Sequence, residues 1–193
     1  MRKYLIFLFS ICFSIISCKK IIESIDSLGK EEFKVEDLKR INVNDEYVLS
    51  VPEYMTEMKS LHEDASLQYA NVYKETYMVI IDEGKEEFIN TFKELEIYND
   101  SLSPLGNYAD FQLKSFKESI GILKIKRLER SVKKLPSEIH QFNGSVEGIN
   151  IAYLVSFVEA DKKMYMLMSW TLKNRYSKYK KTFKLIHSTF KLK

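Results

Sequence analysis

Three observations predict an α+β fold in which an antiparallel sheet packs against helices. Runs rich in β-branched and aromatic residues crowd both parts of the chain flanking its middle. Two segments of helical period stand together between them, and one further helical stripe lies near the C-terminus. Grouped strands and grouped helices describe an α+β sandwich, whereas βαβ units would alternate them. Only three prolines and six glycines occur in 193 residues, which argues against long loops. No internal repeat or second domain boundary is visible.

The elements follow in order. Tyr47 to Val51, stopped by Pro52, reads as a first strand, because proline has no amide hydrogen to give to a ladder. Ala65 to Ala70 and Thr76 to Ile81 are two more, connected near Asn71, and Asp82 to Lys85 reads as a turn or helix lead-in. From Glu86 the period changes, with Phe88, Phe92 and Leu95 at spacings of four and three predicting one buried stripe. Ser101 to Pro104 breaks that helix, and a second follows with Tyr108, Phe111, Phe116, Ile120 and Leu123 near one face. Ser131 to Leu135 and Ser137 to Phe142 read as extended around Pro136. Asn143-Gly144, with Gly148 close behind, predicts a hairpin there, since these residues accept positive φ. Ile149 to Glu159 and Met164 to Thr171 are long strands joined by a turn at Ala160 to Lys163. Leu172, Tyr176, Tyr179, Phe183 and Ile186 then mark a helix with one face on the sheet, and Ser188 to Leu192 a short closing strand.

The N-terminus has a different character. Arg2 and Lys3 precede the apolar run Tyr4 to Ile16, whose polar members are Ser10, Ser14 and the small thiol Cys12, the pattern of a secretory signal. About twenty apolar residues are needed to span a bilayer, and the run ends before Lys19 and Lys20, so a permanent transmembrane helix is the weaker reading. Ile15-Ile16-Ser17-Cys18 resembles a bacterial lipobox, with isoleucine where leucine is usual. That resemblance implies cleavage before Cys18, a diacylglycerol thioether on its sulfur, and acylation of the new amino terminus. More than one buried acyl chain makes such an anchor durable. Residues 1–17 are thus a signal peptide, residues 18–44 a charged tether, and residues 45–193 one globular domain.

Removing the first 17 of 193 residues leaves 176, enough to bury a substantial core. The loss of Arg2 and Lys3 takes the basic count from 30 to 28 against 27 acidic residues, so the exported chain is close to neutral. With Cys12 discarded and Cys18 lipidated, the domain has no cysteine for a disulfide, for redox chemistry or for thiolate catalysis.

The segment from Gly148 to Lys193 resembles the closing hairpin, tryptophan-ended strand, helix and terminal strand of the Mog1/PsbP-like superfamily, particularly its small bacterial lipoprotein members. The marks are Tyr153, Glu159, Tyr165, Trp170-Thr171, Tyr179, Ile186, Ser188 and Phe190. In the family serine and phenylalanine are usually adjacent near the end, whereas here Thr189 separates them. Tyr47 to Pro52 and Ala65 to Ile81 fit the opening of such a domain. The resemblance implies a Mog1/PsbP-like α/β sandwich and, since that superfamily shares no catalytic residue set, a protein-binding or accessory role more than an enzyme.

Chemistry sought in the residues themselves is sparse. His62, His140 and His187 are far apart and lack zinc-ligand spacing. No phosphate loop, nucleophile elbow or paired-histidine helix occurs, so no catalytic, metal or cofactor residue is assigned and no cofactor is expected. Glu159 and Asp161 read as solvated acids beside a turn. Lys173 to Lys184 form a basic helix face suited to a membrane surface or an acidic partner, and export argues against nucleic acid. Three functions stay open: a non-catalytic module binding an envelope protein, a lipoprotein binding a lipid or small apolar ligand, and a hydrolase whose site assembles only in three dimensions. The first is preferred. The expected partners are the membrane, through lipid on Cys18, and an envelope protein. Lys19 after the modified cysteine favours the outer over the inner membrane.

Overall fold

The computed structural model describes residues 32–122, 124–128 and 134–193. The signal peptide, Cys18 and the first part of the expected tether lie outside the described residues. Seven strands form one antiparallel sheet in the order β3-β4-β5-β9-β8-β7-β6: β3 (Thr56–Glu57), β4 (Ala65–Asn71), β5 (Thr76–Gly84), β6 (Ile125–Leu128), β7 (Ser137–Val146), β8 (Ile149–Glu159) and β9 (Lys163–Leu172). A second sheet of three strands, β1 (Leu38–Val43), β2 (Tyr47–Pro52) and β10 (Lys191–Leu192), has β2 at its centre. Among the described residues there are three α-helices: α1 (Lys85–Glu94), α2 (Pro104–Ile120) and α3 (Tyr176–Ser188). The predicted α+β class, with antiparallel sheet against helices, is what forms.

Side chains alternate across the large sheet and feed two cores. On one face Met78, Ile80, Leu154 and Leu167 pack with Tyr179, Phe183 and Ile186 of α3 and with Tyr47, Leu49 and Val51 of the small sheet. On the other face Val155, Phe157, Met164 and Met166 meet Phe88 and Phe92 of α1 and Leu105, Tyr108 and Leu113 of α2. This second core is held by edge-to-face rings, with Tyr108 set at 88° to both Phe88 and Phe157.

Several boundaries differ from expectation. β1 lies inside the segment expected to be a tether. It pairs with β2 from Leu38 opposite Pro52 to Val43 opposite Tyr47, and the compact unit begins at Glu32 rather than at residue 45. Buried Leu38 and Val43 supply the reason: the exposed polar residues Lys39, Arg40 and Asn42 between them hide a strand that needs a neighbour to be recognised. At Asp82 to Lys85, read as a turn or helix lead-in, β5 runs on through Asp82 and Glu83 to Gly84, because β9 pairs with it along that whole length, and the helix α1 begins at Lys85. Leu95 and Phe111 are exposed, so neither belongs to the buried stripe of its helix. Residues 188–190 end α3 and lead out of it, leaving only Lys191–Leu192 as strand.

The hairpin moves as well. β7 continues through Asn143 and Gly144 to Val146, which faces Ile149, so the turn is Glu147-Gly148. Both turn residues have positive φ, 50° and 81°, as a two-residue I′ turn requires. Gly144 serves another purpose: a Cβ there would stand 2.7 Å from Ile120 Cδ1 and 3.0 Å from Ile120 O, so glycine lets the end of α2 lie against β7.

Candidate functional site

A hydrolytic centre needs an accessible nucleophile, and the one serine–histidine arrangement seen among the described residues is sealed. His187 of α3 bonds through Nδ1 to Ser156 Oγ at 2.7 Å and through Nε2 to Ser169 Oγ at 3.0 Å. A neutral imidazole has one donor and one acceptor nitrogen, so one serine accepts and the other donates. All three residues are fully buried. Burial holds the imidazole far below its ordinary value, at about 3, and therefore neutral. These bonds tie α3 to β8 and β9, and they present nothing to a substrate.

The other histidines are separate. His62 lies in the loop before β4 and takes the backbone N–H of Asp64 on Nδ1. His140 of β7 is 3.1 Å from Glu138, and burial depresses its pKa despite that carboxylate. Among the described residues no group of three or more His, Cys, Asp or Glu could hold a metal ion.

Glu159 is not the solvated turn acid that its sequence position suggests. Its side chain is largely buried, accepting from the Leu105 N–H at 3.2 Å and pairing with Lys85 at 2.5 Å. The carboxylate thus satisfies an otherwise orphaned amide in the first turn of α2 while holding the start of α1. Asp161 is exposed, as expected. Lys163 makes a second brace, reaching Asp82 at 2.8 Å and Glu46 at 2.7 Å. Those bonds, Asp82 first, favour its charged form.

Apolar side chains are also left exposed at the surface. Among the described residues nine large apolar side chains are exposed, and four of them, Leu95, Ile97, Leu102 and Phe111, sit where α1 passes into α2. Leu95 is 62% and Ile97 51% exposed, well beyond what a core stripe would leave in water. Ile97, Leu102 and Phe111 border a cleft of about 450 Å³, with Phe92 and Asn107 deeper in. Phe111 meets Phe92 edge to face at 4.7 Å. Exposed Glu94, Glu96, Asp100, Asp110 and Glu118 lie around these residues in the chain; Asp110 and Glu118 line the cleft itself, with a single base, Lys114, between them.

This surface is built on an organised connection. Glu96 adopts φ 57°, and the N–H groups of Ile97 and Tyr98 both donate to Phe92 O, folding the chain back at the end of α1. Asn107, buried in α2, takes the Asn99 N–H on Oδ1 at 2.7 Å and donates through Nδ2 to the carbonyls of Asn99 at 3.0 Å and Ser103 at 3.2 Å. Ser103 caps α2 through the Gly106 N–H, and Pro104 follows at the first helical position. The Ser-Pro signal was legible as a helix break. Asn107 was not singled out, although a polar residue one position before a predicted core tyrosine is the mark that would have found it.

A second depression lies on the same face of the large sheet. Val79, Met168, Trp170, Ile151 and Tyr153 line a groove of about 310 Å³ together with Phe116 and Ile120 of α2 and the Leu61-His62 loop. Trp170 stacks on Tyr77 at 5.3 Å with only 13° between the rings. The groove is open and mostly apolar. Among the described residues no helix is long and apolar enough to cross a membrane.

No protein-family model matches the chain, and no curated protein matches it in sequence. Solved structures do. The cyanobacterial PsbP protein CyanoP of Synechocystis sp. PCC 6803 superposes with a TM-score of 0.56 at 12% identity, over 84% of this chain and 96% of that one. A Bacteroides thetaiotaomicron protein gives 0.49 at 10% identity, over 81% of this chain and 49% of that one. LpqN of Mycobacterium tuberculosis, a protein involved in cell envelope biogenesis, gives 0.46 at 11% identity, over 76% and 82%. The likeness to CyanoP is one of architecture, and it establishes that this chain has a PsbP-like α+β fold.

Proposed function

We propose that this chain is a lipid-anchored protein of the cell envelope whose folded domain is a non-catalytic accessory module, binding a protein partner through the α1–α2 surface. The observation that carries the reading is the acid-rimmed apolar cleft at Phe111, Ile97 and Leu102 on a connection fixed by Asn107. Exposed apolar clusters with a polar rim are characteristic of protein interaction sites. The acidic rim suits a partner with lysine or arginine around an apolar centre. Ile15 to Cys18 supports anchorage through Cys18, and Lys19 supports the outer membrane over the inner.

The groove at Trp170 supports a second reading, a lipid or small apolar ligand. Trp170 is the only tryptophan of the chain, so its emission reports occupancy directly.

One experiment separates these readings. A photo-crosslinking residue is placed at Ile97 in the full chain and irradiated in the native cell, with labelled palmitate supplied to follow Cys18. The accessory reading expects a discrete protein adduct that Phe111→Ser abolishes, and palmitate labelling that Cys18→Ser abolishes. No adduct, together with a shift of Trp170 emission on adding a fatty acid, would overturn it in favour of the ligand reading.

A further inference from the structure

The remaining five exposed apolar residues lie away from the α1–α2 cleft. Four of them occupy two hairpin tips at one end of the large sheet. Val72 and Tyr73 form the β4–β5 tip, and Val146 and Ile149 flank the β7–β8 turn, which also carries the exposed Glu147. The pairings Tyr77 with Trp170 and Ile151 with Leu172 put both tips at the same end, on either side of the place where β9 finishes. Three strand spacings separate the hairpins, about 14 Å. Tyr73 is 91% and Ile149 53% exposed, so these residues are held in water with no core to fill.

Positive charge stands between the tips. β9 ends at Leu172 and continues through Lys173 and Arg175, both exposed, into α3. Arg175 donates to the carbonyls of Tyr73 at 3.4 Å and Lys74 at 3.3 Å and pairs with Glu75 at 3.1 Å, which fastens the β4–β5 tip to the start of α3. From Lys162 to Lys193 the sequence has ten lysines and arginines and no aspartate or glutamate.

We infer that this end of the sheet, with the two apolar tips and the basic start of α3 between them, docks on an anionic lipid bilayer. A tyrosine and aliphatic residues on turns can enter the headgroup region while lysine and arginine beside them meet lipid phosphates. An acidic protein would match the charge alone and leave two separated apolar tips unused, so the combination favours a bilayer. The start of the described chain is close by: Phe33 lies 6.0 Å from Tyr54, whose carbonyl accepts from Asn71 at the end of β4. In sequence, Cys18 precedes Glu32 by fourteen residues. The contact itself does not depend on a lipid at that cysteine.

The test uses the full chain carrying Cys12→Ser and Cys18→Ser, which removes both native thiols and any lipid. An environment-sensitive fluorophore is attached at Tyr73→Cys, or at Ile97→Cys as the far-side reference. With vesicles of equal parts phosphatidylcholine and phosphatidylglycerol, the Tyr73 probe should shift to the blue and the Ile97 probe should not. Phosphatidylcholine alone should give little shift, and added salt should reverse it. Lys74→Gln with Lys173→Gln should weaken the response about tenfold. An unshifted Tyr73 probe, an equal shift at Ile97, or indifference to the lysine substitutions would overturn the inference. So would an acidic protein that shifts the Tyr73 probe when anionic vesicles do not. Failure at the α1–α2 cleft would leave these readouts unchanged.

Discussion

The two faces of the large sheet carry helices of opposite electrical and structural character. Over residues 85–121, which include α1 and α2, seven acidic side chains stand against four basic ones. α3 carries four lysines and no acid. Behind α3 the core is closed by Tyr179, Phe183 and Ile186 and by a fully buried histidine that bonds to two strands. Behind α1 and α2 the core is aromatic, and it opens at the inter-helix connection, where Phe111 and Ile97 remain in water. The contrast teaches that one layer closes its core over the sheet, while the other leaves apolar side chains in water at the connection between its helices.

The largest effect is expected where the closed layer is emptied. Phe183→Ala removes a fully buried ring at the centre of α3, and should cost about 3–5 kcal/mol of unfolding free energy, read by urea denaturation. Phe111→Ala on the opposite layer should cost far less, because that ring is 44% exposed. If the two losses were equal, the proposed division between layers would fail.

A buried asparagine gives the next effect. Asn107→Ala leaves the Asn99 amide and two carbonyls of the α1–α2 connection without their side-chain partner, and should cost about 1–3 kcal/mol. Hydrogen exchange should rise over residues 96–103 and stay unchanged in α3. Uniform loss of protection would mean that the connection is not an independently organised surface.

The smallest effect near neutrality, and the most diagnostic on acidification, belongs to His187. Its folded-state pKa is depressed to about 3 from 6.5, so in that range the unfolded chain binds a proton that the folded chain refuses. Stability should therefore be complete above 6.5 and fall as the pH is lowered toward 3. Burial lowers the pKa of His140 in the same direction. In His187→Gln the slope of stability against pH should be shallower over this window. An unchanged slope would remove the histidine from the account of the α3 layer.

Much of this fold was legible because its strongest signals are periodic. Ile149–Glu159 matched its strand at both ends, and Phe88, Phe92, Tyr179, Phe183 and Ile186 occupy the cores their spacing assigned them. What was not legible depends on residues far away in sequence. β1 becomes a strand by pairing with β2, and Gly144 stays inside β7 because Ile120 of α2 needs the space. Glu159 is drawn out of solvent by Lys85 and an amide of α2. The candidate surface was hidden for the same reason. Leu95 and Phe111 have the spacing of core residues, but the chain folds back after Leu95 at Glu96 to Tyr98, and α2 buries Leu105, Tyr108, Ala109 and Leu113 instead of Phe111.

By itself the sequence determined the class of fold, the order of its principal elements, the absence of cysteine after Cys18 and the positive charge of the C-terminal thirty-two residues, since these are properties of local composition and period. Only the tertiary structure decided which apolar side chains are left in water, that the two hairpin tips share one end of the sheet, and that His187 is sealed between strands. Those are relations between distant segments, set by register and packing, which no local pattern contains.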